Sequence, residues 1–247
     1  MKNILFLVLS LVSSVQALCQ NIYLEYSYKS PAGIGFYRAS IEETFSNYSY
    51  ISEKQVFSGQ HYGSNDNTFK NIFFKDKKAN CLFFTGGNSG RYYYVKDSLH
   101  TMNWKFGKEK KVIMGFNCKS ATTFFRGRHY IAFYTDKIPV SDGPYKFGGL
   151  PGLILRVISE DKEYEWNVEK IVQNHTEKTD KISIENILKT QKFITWQEHI
   201  SKYKEEIDKM VAGLKAKKRD KASTAYFKID DIEIIYPEAQ TGLGIEY

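Results

Sequence analysis

The amino-acid sequence has few residues of the types that bind metals or form catalytic pairs. Its 247 residues include three cysteines and five histidines, and no two histidines stand four positions apart, as they do on a metal-binding helix. It contains no Gly-x-Ser-x-Gly nucleophile elbow and no phosphate loop ending in Gly-Lys-Ser or Gly-Lys-Thr. From these absences we expect no metal and no cofactor, and the sequence assigns no catalytic residue.

Long hydrophobic runs are also lacking, apart from one near the N-terminus. The segment from Ile4 to Val12 is apolar, follows one lysine and precedes small and polar residues. A membrane-spanning helix needs roughly 20 predominantly apolar residues, which this run does not reach. The pattern is typical of a secretory signal peptide over residues 1–19 and predicts export to the periplasm, the outer membrane or the extracellular space. Cleavage after Ala17 and cleavage after Cys19 both fit, and we favour Cys19.

Removal of this segment leaves two cysteines, Cys81 and Cys118. An even number of cysteines in an oxidising compartment favours a disulfide bond between them. Two buried free thiols are the alternative, because no spacing pattern specifies the pairing.

The charge balance is basic, with 35 Lys and Arg against 28 Asp and Glu, for a net charge of +7. The positive residues are interspersed with acidic ones, and an exported protein rarely meets nucleic acid, so we expect no nucleic-acid partner. An anionic membrane surface, a polysaccharide or an acidic face of an envelope protein fits this balance better.

Short segments rich in Tyr, Phe, Ile and Val alternate with polar breaks along most of the chain, which holds 18 Tyr and 17 Phe. This spacing is typical of successive β-strands, with hairpins predicted about Arg126-Gly127 and about residues 160–162. The aromatic residues fit either packing on pleated surfaces or a groove for a lipid, glycan or peptide.

One helix is predicted over residues 195–219. Thr195 and Glu198 form a capping-box pattern, and apolar residues then recur at steps of three and four. A helix laid on a sheet is favoured over a basic membrane-surface helix, because acidic residues dilute its positive face. Residues 20–247 are therefore predicted to form a single, mainly β domain. Its fold is a curved antiparallel sheet or open half-barrel with one long C-terminal amphipathic helix packed on it.

The strongest local signal is the stretch GPYKFGGLPGLILRV, Gly143 to Val157. Three of the five prolines of the chain lie within residues 139–151, just before this stretch or inside it. Pro151 and Gly152 fit the centre of a type II turn, and a rigid loop here would set the register of the apolar strand that follows. The predicted structural motif comprises Pro139, Pro144, Gly148, Gly149, Leu150, Pro151, Gly152, Leu153 and Ile154. In the polar bend ahead of the strand, Tyr145 and Lys146 are the predicted contacts for a ligand or partner.

The segment GGLPGLI, with the preceding AFYTDKIPVSDGPYKF, resembles the GLPGLI family of exported proteins of Bacteroidota. The family shares a signal peptide, a similar length and an upstream Cys-Lys-x-Ala like that at Cys118, and the likeness is specific over residues 112–158. Where the family has Trp-Tyr, this chain has Phe133-Tyr134. The resemblance implies an exported protein of related fold, and it lends no residue a catalytic role because the family has no established activity.

The expected function is therefore that of a non-enzymatic envelope protein. It would bind an apolar or extended ligand, such as a peptide or a lipid-like molecule, dock on a periplasmic or outer-membrane partner, or associate with a membrane surface. An envelope enzyme, a hydrolase or a peptide-processing protein whose residues meet only in the fold, is one alternative. A purely structural envelope component is the other.

Overall fold

The computed structural model describes residues 21–31, 33–51, 56–57, 71–88, 91–99, 102–176, 181–217, 226–227 and 245–246. The predicted signal peptide lies outside these residues. Fifteen strands and two helices occur within them. In chain order they are β1 (Ile22–Ser30), β2 (Gly33–Ile41), β3 (Phe45–Tyr50), β4 (Val56–Phe57), β5 (Phe73–Asp76), β6 (Cys81–Asn88), β7 (Arg91–Ser98), β8 (Lys105–Ile113), β9 (Phe116–Phe125), β10 (Arg128–Thr135), β11 (Leu153–Ser159), β12 (Glu165–Gln173), α1 (Lys181–Thr190), β13 (Phe193–Thr195), α2 (Trp196–Lys217), β14 (Tyr226–Phe227) and β15 (Ile245–Glu246).

Thirteen of the described strands belong to one open sheet, which runs from β13 at one end to β8 at the other. The order is β13-β7-β6-β5-β3-β2-β1-β12-β11-β10-β9-β8, with β4 paired to β2, and β14 pairs with β15 in a separate ribbon. Neighbouring strands are antiparallel except β13, which runs parallel to β7. The two predicted hairpins form β9–β10 and β11–β12, with Arg126 and Gly127 both at positive φ in the first turn.

The core lies on both faces of the sheet around β11. Ile22, at the start of β1, is fully buried. Buried and partly exposed residues then alternate along the first half of the strand, as expected when successive side chains point to opposite faces of a sheet. In β11, Leu153 belongs to one hydrophobic cluster and the adjacent Ile154 belongs to another. Since successive side chains of a strand point to opposite faces, β11 is covered on both sides.

The two helices pack on opposite faces of the sheet. Ile184 of α1 packs with Phe74 of β5, and Trp196 of α2 packs with Phe84 of β6. Phe84 is paired with Phe73, the neighbour of Phe74, so the two contacts lie on different faces. The strand β13 carries the chain around the sheet edge between them. Within the described residues, neither helix combines the length and apolar character that crossing a membrane requires.

The predicted fold, a curved antiparallel sheet or open half-barrel with one long C-terminal amphipathic helix packed on it, is wrong. The sheet is mixed because β13 is parallel to β7, α1 precedes α2, and β14 and β15 follow α2. None of the described side chains of α2 is buried, whereas α1 buries Ile184 and Ile187. A repeating apolar stripe identifies a helix, but it does not reveal what packs on that stripe.

The start of α2 confirms the predicted capping box. The backbone amide of Thr195 donates to Oε2 of Glu198 at 2.7 Å, and the amide of Glu198 donates to Oγ1 of Thr195 at 3.2 Å. Both bonds satisfy amides that the helix itself leaves without an acceptor.

Candidate functional site

The loop of residues 136–152 connects β10 to β11 and contains most of the predicted structural motif. The amide of Leu153 donates to the carbonyl of Ile138 at 3.0 Å, and the amide of Ile154 donates to the carbonyl of Asp142 at 2.9 Å. Phe147 is buried near the middle of the loop. The loop is therefore folded back on the start of β11 and packs in the interior.

A buried ion pair attaches this loop to the strand β5. Nζ of Lys75 lies 2.8 Å from Oδ1 of Asp142, and both side chains are almost completely shielded from solvent. The ammonium group also donates to the carbonyls of Gly143 at 2.8 Å and Phe147 at 3.0 Å. Three donors on Lys75 thus meet three acceptors on the loop, so the charge is fully hydrogen-bonded.

The carboxylate of Asp142 has further partners on neighbouring strands. Oγ of Ser46 donates to Oδ2 at 2.7 Å, Nζ of Lys77 lies 3.0 Å from the same oxygen, and the Tyr48 hydroxyl lies 3.1 Å from Oδ1. Burial alone would raise the pKa of Asp142, but the charges of Lys75 and Lys77 outweigh it and hold the pKa well below its usual range. We call Ser46, Tyr48, Lys75, Lys77 and Asp142 the anchor cluster.

Gly152 is required where the loop enters β11. Its φ is +150°, and a Cβ at this position would lie 2.1 Å from the carbonyl oxygen of Thr135. The predicted type II turn does not form, because the φ of Gly152 lies far from the roughly +80° of that turn. The amide of Leu153 also bonds to Ile138 rather than to Leu150. Close backbone packing against the end of β10, rather than turn geometry alone, therefore demands glycine.

The remaining motif positions divide between the interior and the surface. Pro144, Leu150, Leu153 and Ile154 are buried, and Gly148 is half-buried. Pro139, Gly149 and Pro151 are exposed. The carbonyl of Gly148 accepts a hydrogen bond from Nε1 of Trp104 at 2.8 Å. The contacts of this segment are thus mainly those of a packed loop.

The two predicted contact residues, Tyr145 and Lys146, do not form an exposed polar bend. The Lys146 side chain is 3% exposed, and its Nζ lies 3.3 Å from Oδ2 of Asp97. Tyr145 has φ of +52° and stacks on Trp166, with ring centroids 5.8 Å apart. The sequence pattern suggested exposure because glycines and polar residues surround them, but both side chains pack against Asp97 or Trp166 in the folded protein.

Lys146 belongs to a second buried polar cluster, between β7, the β9–β10 turn and α2. NH2 of Arg126 lies 2.7 Å from Oδ2 of Asp97. Cζ of Arg126 lies 3.6 Å from the centroid of the Trp196 ring, and Nζ of Lys146 lies 4.2 Å from it. Cation–π contacts thus attach the first turn of α2 to the body of the protein.

A surface concavity of about 440 Å³ lies at the far end of the sheet, beside β8. We call it the edge groove. Its lining includes Phe106, Lys108, Lys110, Lys119, Ser120 and Tyr134. None of the residues predicted from the sequence lines this groove, although the four lysines between Lys105 and Lys111 are a signal visible in the sequence.

A bulge in β8 forms the groove. Phe106 pairs with Ala121 and Lys110 pairs with Lys119, so three residues of β8 stand opposite the single residue Ser120. A Cβ on Gly107 would lie 2.4 Å from Oγ of Ser120, so glycine allows the bulge to approach β9 this closely. The ring of Phe106 remains 68% exposed above that of Tyr134.

Cys81 and Cys118 are free cysteines in the structure, and the predicted disulfide bond is not formed. They lie on β6 and β9, which are not neighbours in the sheet. Each sulfur instead lies near a carbonyl two residues before it, Ala79 for Cys81 and Phe116 for Cys118. Burial raises the pKa of the Cys118 thiol to about 11.

The described part of the chain holds no cluster of three His, Cys, Asp or Glu side chains able to bind a metal ion.

Comparisons with known proteins add one local likeness and one weak structural one. No curated protein matches the chain. The solved structures of PNGF-II, in the C2 and P21 space groups, are 16% identical with a TM-score of 0.49, and the match covers 71% of this chain but only 31% of that one. Residues 125–156, which span β10, the packed loop and the start of β11, match the family described as "Protein of unknown function (Porph_ging)".

Proposed function

We propose that this chain is an exported, non-enzymatic binding protein of the cell envelope. In this proposal, the outer edge of β8 receives an extended acidic segment of a partner protein as an additional strand. The carrying observation is the edge groove, where the outer edge of the last described strand of the sheet, several lysines and an aromatic pocket meet.

The strand edge supplies the backbone contacts. β8 is the last strand in the order of the sheet, and no strand within the described residues pairs with its outer side. Eight of its nine residues, Lys105 to Val112, are exposed. An added strand would pair its amides and carbonyls with this edge, as in β-strand addition.

The charges on and beside β8 favour an acidic occupant. Lys105, Lys108, Lys110 and Lys111 lie on the strand, against the single acidic residue Glu109. A positive surface attracts acidic segments and disfavours basic ones, which confers specificity as well as rate of association.

The groove supplies a place for one side chain. Strand addition typically obtains affinity from the main chain and specificity from pockets beside the edge. Phe106 and Tyr134, with ring centroids 6.4 Å apart, provide apolar surface there. An apolar residue of the acidic segment would seat against these rings.

Lysines and bulges also protect strand edges from unwanted pairing. That explanation accounts for the charges but not for the exposed apolar groups on the same strand, since Phe106 is 68% and Val112 is 67% exposed. Apolar groups at a free edge promote association, so binding accounts for more of the observations than protection does.

The anchor cluster does not favour the enzyme alternative. Lys75 and Asp142 are each less than a tenth exposed and bind each other directly. A substrate would have to displace the packed loop to reach them.

A displayed library of random short peptides, selected on the mature chain, tests the proposal. We expect enrichment of acidic residues alternating with apolar ones, amide-exchange protection of Lys105–Ile113 by the selected peptides, and weaker binding at high salt.

Phe106→Ser should weaken binding at least about tenfold, the loss expected for one buried aromatic contact. The matched control is Phe124→Ser, because Phe124 is 61% exposed on β9, outside the groove. Selection of non-acidic peptides, protection elsewhere or equal effects of the two variants would refute the proposal.

A further inference from the structure

We propose that the tip of the β8–β9 hairpin docks on an anionic membrane surface by inserting Val112 and Met114 into its outer layer. The tip comprises residues 110–117. The apolar side chains that it invokes do not line the edge groove, although Lys110 and Lys119 belong to both sites, and the inference does not depend on peptide binding.

The turn of this hairpin exposes an apolar residue where a polar one is preferred. Met114 and Gly115 connect the strands with φ of +50° and +80°, the pattern of a type I′ turn. Asparagine is favoured at the first position because it tolerates positive φ. Met114 has an unfavourable conformation there, and its side chain is 52% exposed. The requirements of the turn do not explain a methionine at position 114, whereas contact of its side chain with an apolar phase does.

A second apolar side chain lies beside it. Val112 stands opposite Asn117 across the hairpin and is 67% exposed. Of the six large hydrophobic residues exposed in the described part of the chain, four belong to the β8–β9 hairpin, and two of these, Val112 and Met114, lie at its tip. The two at the tip together offer a small apolar surface on a projecting turn.

Cations stand directly behind the apolar tip. Lys110 is paired in register with Lys119, and like charges in such positions destabilise a sheet. Asp136, 2.7 Å from Lys119, partly offsets this repulsion. An anionic surface would offset it further, so the arrangement is more favourable at a membrane than in solution.

The spacing suits the depth of a lipid interface. Val112 lies two residues beyond Lys110, and strands rise about 3.3 Å per residue. The apolar groups would thus reach roughly 7 Å deeper than the lysines, within the roughly 5–10 Å to which interfacial elements are buried. The lysines would then lie among the anionic headgroups.

A membrane fits the tip better than a peptide does. A strand partner pairs along an edge, whereas Met114 sits at the end of the hairpin, beyond the last residue of β8. An apolar end followed by positive charge matches a bilayer with a negative headgroup layer.

Co-sedimentation of the mature chain with vesicles tests this. We expect binding to mixed phosphatidylglycerol–phosphatidylcholine vesicles and little to phosphatidylcholine alone, and weaker binding at high salt. The double variant Val112→Ser/Met114→Asn should reduce binding by at least about tenfold. Lys110→Gln should reduce it about fivefold. Because asparagine suits the turn better than methionine, loss of binding by the double variant cannot be attributed to an unfolded hairpin.

Two further variants separate the outcomes. Phe124→Ser should leave vesicle binding unchanged, since Phe124 is exposed away from the tip. Phe106→Ser should impair peptide binding while retaining vesicle binding, so failure of one proposal is distinguishable from failure of the other. Equal binding to both kinds of vesicle, or unchanged binding of the double variant, would overturn the membrane proposal.

Discussion

The ammonium of Lys75 lies 2.8 Å from the carboxylate of Asp142, which joins β5 to a loop 67 residues later in the chain. Both groups are buried, and the same ammonium binds two carbonyls of the loop. If either Lys75 or Asp142 were replaced by a neutral residue, the charge of the other would stay buried, away from water and without its counterion. The pair therefore makes the packed loop and β5 depend on each other.

Asp142→Asn should lower the free energy of unfolding by about 3–5 kcal/mol, because it leaves the Lys75 charge buried without a counterion. Urea denaturation measures the change. Asp136→Asn is the matched control, since its ion pair with Lys119 is exposed and its loss should have little effect. Similar effects of the two variants would contradict the role of the anchor cluster.

The contribution of Asp142 should also depend on pH. Its pKa in the folded protein is lowered, so the folded state holds its proton less tightly than the unfolded chain does. The stabilisation should be complete above the unfolded pKa of about 3.9 and should diminish as the pH falls below it. In urea titrations at several pH values, the stability difference between the wild type and Asp142→Asn should narrow in acid. A constant difference would mean that folding does not shift the pKa of Asp142.

Gly152→Ala should be more destabilising than Gly115→Ala. Both glycines have positive φ, but an added Cβ at Gly152 would overlap the backbone of Thr135, whereas nothing lies within 4 Å of one at Gly115. We expect about 1–2 kcal/mol for Gly115→Ala and more than about 3 kcal/mol for Gly152→Ala, where steric overlap adds to the conformational strain. Thermal melts compare them, and equal shifts in Tm would show that close packing at Gly152 is unimportant.

Lys146→Met should destabilise the protein by about 1–3 kcal/mol, since buried Asp97 loses a charged hydrogen-bond donor while Arg126 remains. Lys108→Met, on the exposed face of β8, is the control. Chemical denaturation that fails to separate the two variants would place Lys146 at the surface.

Thiol labelling of the native protein should distinguish the two cysteines. Cys81 is partly exposed, whereas Cys118 is buried with a pKa raised to about 11, so few Cys118 thiolates exist at neutral pH. Cys81 should react first, and Cys118 only after denaturation, as mass spectrometry of the labelled peptides would show. An unreduced, denatured chain in which neither cysteine reacts would instead demonstrate a disulfide bond.

The features that could be predicted from the sequence depend on residues close together in the chain. The hairpin at Arg126-Gly127 and the capping box at Thr195 and Glu198 formed as predicted, because turn residues and helix caps act within a few positions. The need for glycine at 152 was also visible, although the reason is the backbone of Thr135 rather than a type II turn. Neither α1 nor β13 was predicted, since their signals are short.

The sequence by itself therefore determined the mainly β composition, the positions of two hairpins and the start of α2. Only the tertiary structure decided that Lys75 meets Asp142, that Lys146 is buried against Asp97, and that β8 is the last strand of the sheet within the described residues. The physical reason is that period-2 alternation specifies which side of a strand is apolar but not which strand lies beside it. Strand order and curvature arise from contacts between distant residues, and these contacts determine which charges are enclosed and which remain on the surface.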